Sequence, residues 1–397
     1  MHTRENPTPP ASHGTPAAPH PARTLPVRIL GLDVTATPGP RKPLTLAVCD
    51  LAPGDGNAPD NGIPGISVKP GRPGMPGTPD APPVLTLHEL RELHTLDDLD
   101  RLFGGQLDTG FAGGGTAPGA GWVLGIDAAL AQPLDLVEQL TEQLGWPRDW
   151  AGYAALCGAM DRAAFRDLLR GVSAARPAGQ KYLYRACCRR AGAASPMNTV
   201  RPPVALMFHA VAPRLAAHAV HVPLLRPLPG LSDNARVALE TYPGWLARQL
   251  IGRTPYKGGD ATQRAARRKA CAQLLQQLAG LTELPETAGT TDLSLPHSVR
   301  QFGPHSVRQF GPHPTLQSIP LPGPQPHLTI RWNAEHVARM LDDPEADLLD
   351  ALLCAVLAAI SALRPGYGLP SFSAPPHGVT AAQLAVEGWI AGLPPEA

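Results

Sequence analysis

The chain reads as an α/β protein built on a mixed sheet flanked by helices, and three stretches predict it. ILGLDVTATPGPRKPLTLAVCDL (29–51) is a pair of apolar runs about a Thr-Pro-Gly-rich turn, a β-hairpin whose first strand carries Asp33. WVLGIDAAL (122–130) repeats the pattern of apolar residue, Gly, apolar residue, Asp, and places Asp127 where the hairpin has Asp33. DALLCAVLAAISAL (350–363) has an almost continuous apolar body, which marks a helix buried on most sides.

Composition sets the frame for these elements. Of 397 residues, 48 are Pro and 40 are Gly, more than a fifth of the chain, and they collect in a few tracts. Setting the tracts aside leaves roughly 250 residues of foldable sequence, the size of a single domain. The formal net charge of +1 supplies no global field to recruit nucleic acid, so such binding would have to come from local patches. No window offers the run of about 18 apolar residues a membrane span requires, and the N-terminal segment has no apolar core. A soluble, cytoplasmic protein without a membrane partner is expected. The six cysteines lack CxxC spacing and sit mostly in apolar segments, as buried reduced thiols do.

Taken in order, residues 1–25 form a Pro/Thr/Ala/His tail expected to be disordered, and 26–391 a single domain. After the hairpin come a Pro/Gly insertion at about 52–82 and a third strand over 84–89. A helix from Thr95 follows, with Asp98 at the third position of a capping box. A second Gly-rich gap at about 104–121 leads into the Asp127 strand. Helices are then predicted over 134–144, 150–172, 180–191 and 207–215, with the polar stretch SPMNTVRPPV between the last two. RVALETY (236–242) reads as a fifth strand, Pro243 and Gly244 open a helix through Leu250, and 261–278 is a helix basic on one side. The low-complexity stretch 283–325 carries a tandem octapeptide, HSVRQFGP, at 297–304 and 305–312, too few copies for a solenoid and best read as a duplication in a loop. Asp343 is placed to cap, and Pro344 to open, the apolar helix running from Glu345 to about Leu363.

Four acids stand out against this frame: Asp33, Asp127, Glu240 and Asp350. Taken alone they have ordinary explanations: Asp33 could cap the Thr-rich turn, Glu240 could pair with Arg236 or Arg248, and Asp350 could be a charge on a helix face. Together, from three strands and a helix, they predict a cluster. Clustered carboxylates repel, and burying them without compensation costs several kcal/mol each, so such a group calls for a cation. Hard oxygen ligands suit Mg²⁺ or Mn²⁺, and two such ions roughly 4 Å apart activate water and stabilise the leaving oxygen of a phosphodiester.

GLDVTATPGPRKPLTLAVCDL, VLGIDAAL, YRACCRRAGAASPMNTVRPPV, VALETYPGWLARQLIGRTPYKGGD, DALLCAV and EGWI together resemble the domain-of-unknown-function family 429, a family of predicted ribonuclease H-like nucleases. The resemblance spans about residues 28–391, interrupted by the Pro/Gly tracts. It implies a ribonuclease H-like fold with a mixed five-stranded sheet and a helical insertion. It also implies Asp33, Asp127, Glu240 and Asp350 as metal-ligating, catalytic residues of a metal-dependent nuclease. RACCRR departs from the family pattern at Cys188, where relatives often carry an acid, which would leave that neighbourhood less acidic.

Basic residues gather at 176–190 and at 248–269, with Tyr182, Tyr184, Tyr242 and Tyr256 interleaved. Beside the acids they would form a phosphate-contacting rim; either patch alone reads better as the solvated charged face of an amphipathic helix. Tyr256 and Lys257, at the tip of a Pro/Gly loop, are candidate substrate contacts, with Arg185 and, from the rigid loop SPMNTVRPP, Asn198 and Arg201. No Walker loop, nucleophile elbow or dinucleotide fingerprint is present, and the histidines match no zinc spacing. Two alternatives stay open. Thr35 and Thr37 after Asp33 would suit a phosphate-binding ATPase or kinase of the same fold, although that class duplicates the domain and here one copy is found. A binding module without catalysis would also accommodate the modest net charge.

Overall fold

Every residue of strand β1 (Val27–Asp33) is buried, as in a central strand covered on both faces. The computed structural model describes residues 21–54, 81–108, 121–218, 220–258, 260–279 and 328–395. The expectations for the first 20 residues, for most of the three Pro/Gly and low-complexity tracts, and for the octapeptide pair lie outside the described residues.

From β1 the chain turns into β2 (Leu44–Ala52) and β3 (Val84–Leu93), each antiparallel to its predecessor. Helix α1 (Leu96–Phe103) has the predicted capping box, Thr95 accepting from the Asp98 amide and the Asp98 carboxylate accepting in return. β4 (Val123–Asp127) returns parallel to β1. A helical block follows: α2 (Leu134–Leu144), α3 (Trp150–Ala159), α4 (Arg162–Ala174), α5 (Ala186–Ala191) and α6 (Val204–Ala217). β5 (Val237–Glu240) lies parallel to β4 and leads into α7 (Pro243–Ile251) and α8 (Arg264–Ala279). β6 (Thr329–Arg331), α9 (Ala334–Asp342), α10 (Asp347–Ala362) and α11 (Ala381–Glu387) complete the described elements.

Among the described residues the strand order is β5-β4-β1-β2-β3-β6, so the sheet is mixed and has six strands where five were expected. The sixth, Thr-Ile-Arg, is too short to show alternation. It forms because β3 offers Val84–Thr86 as an open edge, to which it pairs in parallel. Helix limits also shift. Only the last six residues of the predicted 180–191 helix are helical, since Arg185 is extended and serves as the N-cap. The apolar terminal helix starts at Asp347, with Ala346 left-handed at its N-cap and Pro344 outside it. Asp343 still satisfies that end, its carboxylate accepting from the Glu345 and Leu348 amides. α9, announced by an Asn333–His336 capping box, was not anticipated.

Alternation sorts the core into two layers. Ile29, Val123 and Val237 face the layer of α7 to α10, while Leu30, Leu32, Leu124 and Ile126 face α1 to α4 and α6. On the first face β1 and β4 present Gly31 and Gly125, which are register partners. A Cβ on Gly31 would lie 2.0 Å from the Ala351 carbonyl oxygen and 2.4 Å from the Ala355 nitrogen; one on Gly125 would lie 2.3 Å from the Cys354 oxygen. The α10 backbone therefore rests directly on the two central strands, an approach only glycine permits. Among the described residues no helix is long and apolar enough to cross a membrane.

Gly31→Ala should destabilise the fold by about 3 kcal/mol or more, at or beyond the upper end for overpacking because the obstacle is backbone. Gly171→Ala, on α4 with open space around it, should instead stabilise by about 0.5–1 kcal/mol. Denaturant titration reads both; equal effects from the two substitutions would contradict the close approach.

Candidate metal centre

The glycine-permitted packing decides where the acids go. Two residues beyond Gly31 and Gly125, Asp33 and Asp127 end their strands side by side as register partners on the face that α10 covers. The first turn of α10 passes over these strand ends and contributes Asp350, at a helix N-terminus where the backbone dipole favours negative charge. One carboxylate oxygen from each of the three lies within 4.8 Å of the others. Asp350 is fully buried and Asp33 nearly so, while Asp127 is half-buried and forms the open side of the cluster.

Both oxygens of Asp350 are engaged. Tyr256 Oη donates to Oδ1 at 2.7 Å, and the Lys257 ammonium donates to Oδ2. Burial, reinforced by Asp350 and Asp127, pushes the Asp33 carboxyl well above the usual carboxylate range. Burial likewise raises Asp127 to about 7, against the pull of Lys257 and a hydrogen bond with Asp33. Asp350 is raised by burial in spite of Lys257 and Tyr256. Against the cost of its own burial, Lys257 is held above its ordinary value by Asp350, Asp127 and Asp33. One ammonium thus faces three carboxyl groups, and Asp33 and Asp127 relieve the remaining repulsion by holding proton between them. Hard, convergent, under-compensated oxygen donors from three separate elements fit a divalent cation such as Mg²⁺ or Mn²⁺.

Glu240 does not join them. Its register partner is Ile126, one residue short of Asp127, so it projects to the opposite face of the sheet. There it accepts from both terminal nitrogens of Arg185, from Nη1 at 2.7 Å, and from the Leu130 amide at 2.8 Å. Arg185 is 1% exposed and has no surface to offer a substrate. It also donates to the Glu387 carbonyl at 3.0 Å, while the Glu387 carboxylate accepts from the Leu134 and Ala186 amides at 2.9 and 2.8 Å. The segments YRACC and EGWI thus belong to one buried structural network. Cys188 sits in it, with Arg185 Nε and Nη2 at 3.3 and 3.2 Å from its sulfur. Cys188 therefore bears on the Arg185 pocket and not on the Asp33–Asp127–Asp350 set.

The remaining expected substrate contacts separate as well. Tyr256 is buried with its hydroxyl committed to Asp350, so its ring is no stacking platform. Lys257, its side chain 44% exposed, serves the cluster as counter-charge. Asn198 is half-buried and spends its side-chain oxygen on the Val200 amide. Arg201 is exposed beside Pro202, and no described hydrogen bond ties either residue to the three acids. Two partners were missed. Lys42, in the hairpin, pairs with Asp347 at 2.6 Å, and Thr45 donates to the Asp347 carbonyl at 2.8 Å, fixing the start of α10 against β2. Gly31 and Gly125 were read as part of a pattern; their spacing two residues before each Asp was the available signal.

Two outcomes follow from this geometry. Asp127 keeps a proton in the folded state up to about pH 7 that the unfolded chain releases near 4, so metal-free stability is highest below that window and is lost as pH rises through it. Thermal unfolding in chelator should give a higher Tm at pH 5 than at pH 8, and Asp127→Asn should shrink that difference; an unchanged difference would contradict the assignment. Arg185→Ala strands Glu240 in the core and should cost about 3–5 kcal/mol, whereas Asp33→Asn should leave stability unchanged or raised; denaturant titration separates the two.

No protein-family model matches this chain, and no curated protein and no solved structure shows significant similarity to it.

Proposed function

We propose that this protein is a metal-dependent nuclease of ribonuclease H-like fold, hydrolysing phosphodiester bonds of nucleic acid at Asp33, Asp127 and Asp350. The observation that carries the reading is the convergence of three carboxylates to within 4.8 Å at one end of the central strands. Around it, β1 is flanked by the antiparallel β2 on one side and the parallel β4 on the other, which agrees with the mixed core the resemblance implies. Ligands of open α/β sheets bind at the carboxyl ends of the strands, which is where these acids lie.

A bound Mg²⁺ or Mn²⁺ would supply Lewis-acid polarisation of the phosphodiester and lower the pKa of an attacking water. The chain's own residues make that possible. Asp33 and Asp127 give up the proton held between them when they become ligands, so occupancy is favoured as pH rises towards and above 7. Tyr256 and Lys257 fix the Asp350 carboxylate, with Lys257 retaining a positive charge at the cluster. No side chain is required as a covalent nucleophile.

Single-stranded, duplex and hybrid oligonucleotides incubated with Mg²⁺ or Mn²⁺ test the reading. Cleavage is expected with either ion and none in chelator, and Asp33→Asn or Asp127→Asn should abolish it while the variants stay folded. Undiminished cleavage by either variant would overturn the assignment.

A further inference from the structure

We infer that a cavity beside the acid cluster, at the start of α8, is a subsite for a backbone phosphate of the nucleic-acid strand, next to the one being cleaved; this rests on the nuclease reading above. The cavity measures about 260 Å³ and is lined by Arg264, Arg267 and Arg268, by Tyr256, and by Asp342 and Asp343. Tyr256 belongs to both places, lining the cavity while its hydroxyl bonds Asp350.

The commitments of the lining charges leave a positive remainder. Three arginines and two aspartates line it: Asp342 pairs with Arg268, and Asp343, whose carboxylate accepts from the Glu345 and Leu348 amides, keeps its negative charge, so the lining carries one net positive charge. Arg267 meets carbonyl groups through its terminal nitrogens, those of Gly258, Pro344 and Asp260, which leave its charge in place, and its Nε is buried with no partner among the described residues. Asp260 stands nearby but turns its carboxylate to Thr262 and does not line the cavity. Arg264 makes no described hydrogen bond or ion pair. Two guanidinium groups with donors to spare, in a concave site, suit the fork geometry of a phosphate.

Binding of a fluorescently labelled single-stranded oligonucleotide to the full chain, followed by anisotropy in chelator, tests this apart from hydrolysis. Arg264→Glu should weaken binding about fivefold or more and lower the salt slope by about one. Arg148→Glu, the same charge change on an exposed residue outside the cavity and outside both basic stretches, should have much less effect. Equal weakening by both would reduce the effect to general electrostatics and overturn the subsite, as would unchanged binding by Arg264→Glu or no binding by the wild type. Inorganic phosphate, titrated calorimetrically, separates the remaining source. Loss of phosphate binding in Arg264→Glu with oligonucleotide binding intact would assign the cavity to a free phosphate and overturn the proposal. Asp33→Asn should retain oligonucleotide binding while losing cleavage, so failure of the nuclease reading and failure of the subsite give different results.

Discussion

The architecture of the candidate site depends on one contact: the backbone of α10 lying against Gly31 and Gly125 with nothing between. A helix normally stands off a sheet by the depth of interleaved side chains. Here two adjacent glycines in register remove that layer at one place. The helix comes down, its N-terminal turn extends over the strand ends, and a carboxylate from the helix meets two from the strands. Lys42 and Thr45, holding Asp347 from β2, brace the same turn from the side.

That arrangement is costly for the folded chain by itself. Three acids within 4.8 Å, two of them nearly or fully buried, repel one another in a medium that screens poorly. The protein relieves the repulsion with Lys257, with the Tyr256 hydroxyl and with retained protons, and none of the three does so completely. Glu240 shows the contrasting solution on the other face: a single acid matched by the oppositely charged fork of Arg185 and a backbone amide, with no second carboxylate beside it in the cluster. A satisfied ion pair fixes structure, and an under-compensated cluster is left able to bind.

The features legible in the sequence were those written in local pattern. Gly-Leu-Asp and Gly-Ile-Asp announced two strands with acids two residues after a glycine, and the apolar body of α10 announced a buried helix with an acid in its first turn. Glu240 was misread because Val-Ala-Leu-Glu looks like the same kind of strand end. Its face is set by pairing with β4, and a one-residue offset in register sends the side chain to the opposite layer. Arg185, Tyr256 and Lys257 were recognised as important residue types but given surface roles, since partners 55, 94 and 93 residues away leave no trace in spacing. β6 was invisible for a related reason: three residues gain their conformation from the edge of β3.

The central claim is that Asp33, Asp127 and Asp350 together hold a divalent cation, and Mn²⁺ titration followed by thermal unfolding addresses it most directly. A ligand that binds only the folded chain stabilises it by about 2.7 kcal/mol at a hundredfold excess over its dissociation constant. The wild-type protein at pH 8 should gain Tm saturably with Mn²⁺, and Asp33→Asn should lose most of that gain. A wild-type Tm indifferent to the ion, or an equal rise in the variant, would contradict the account.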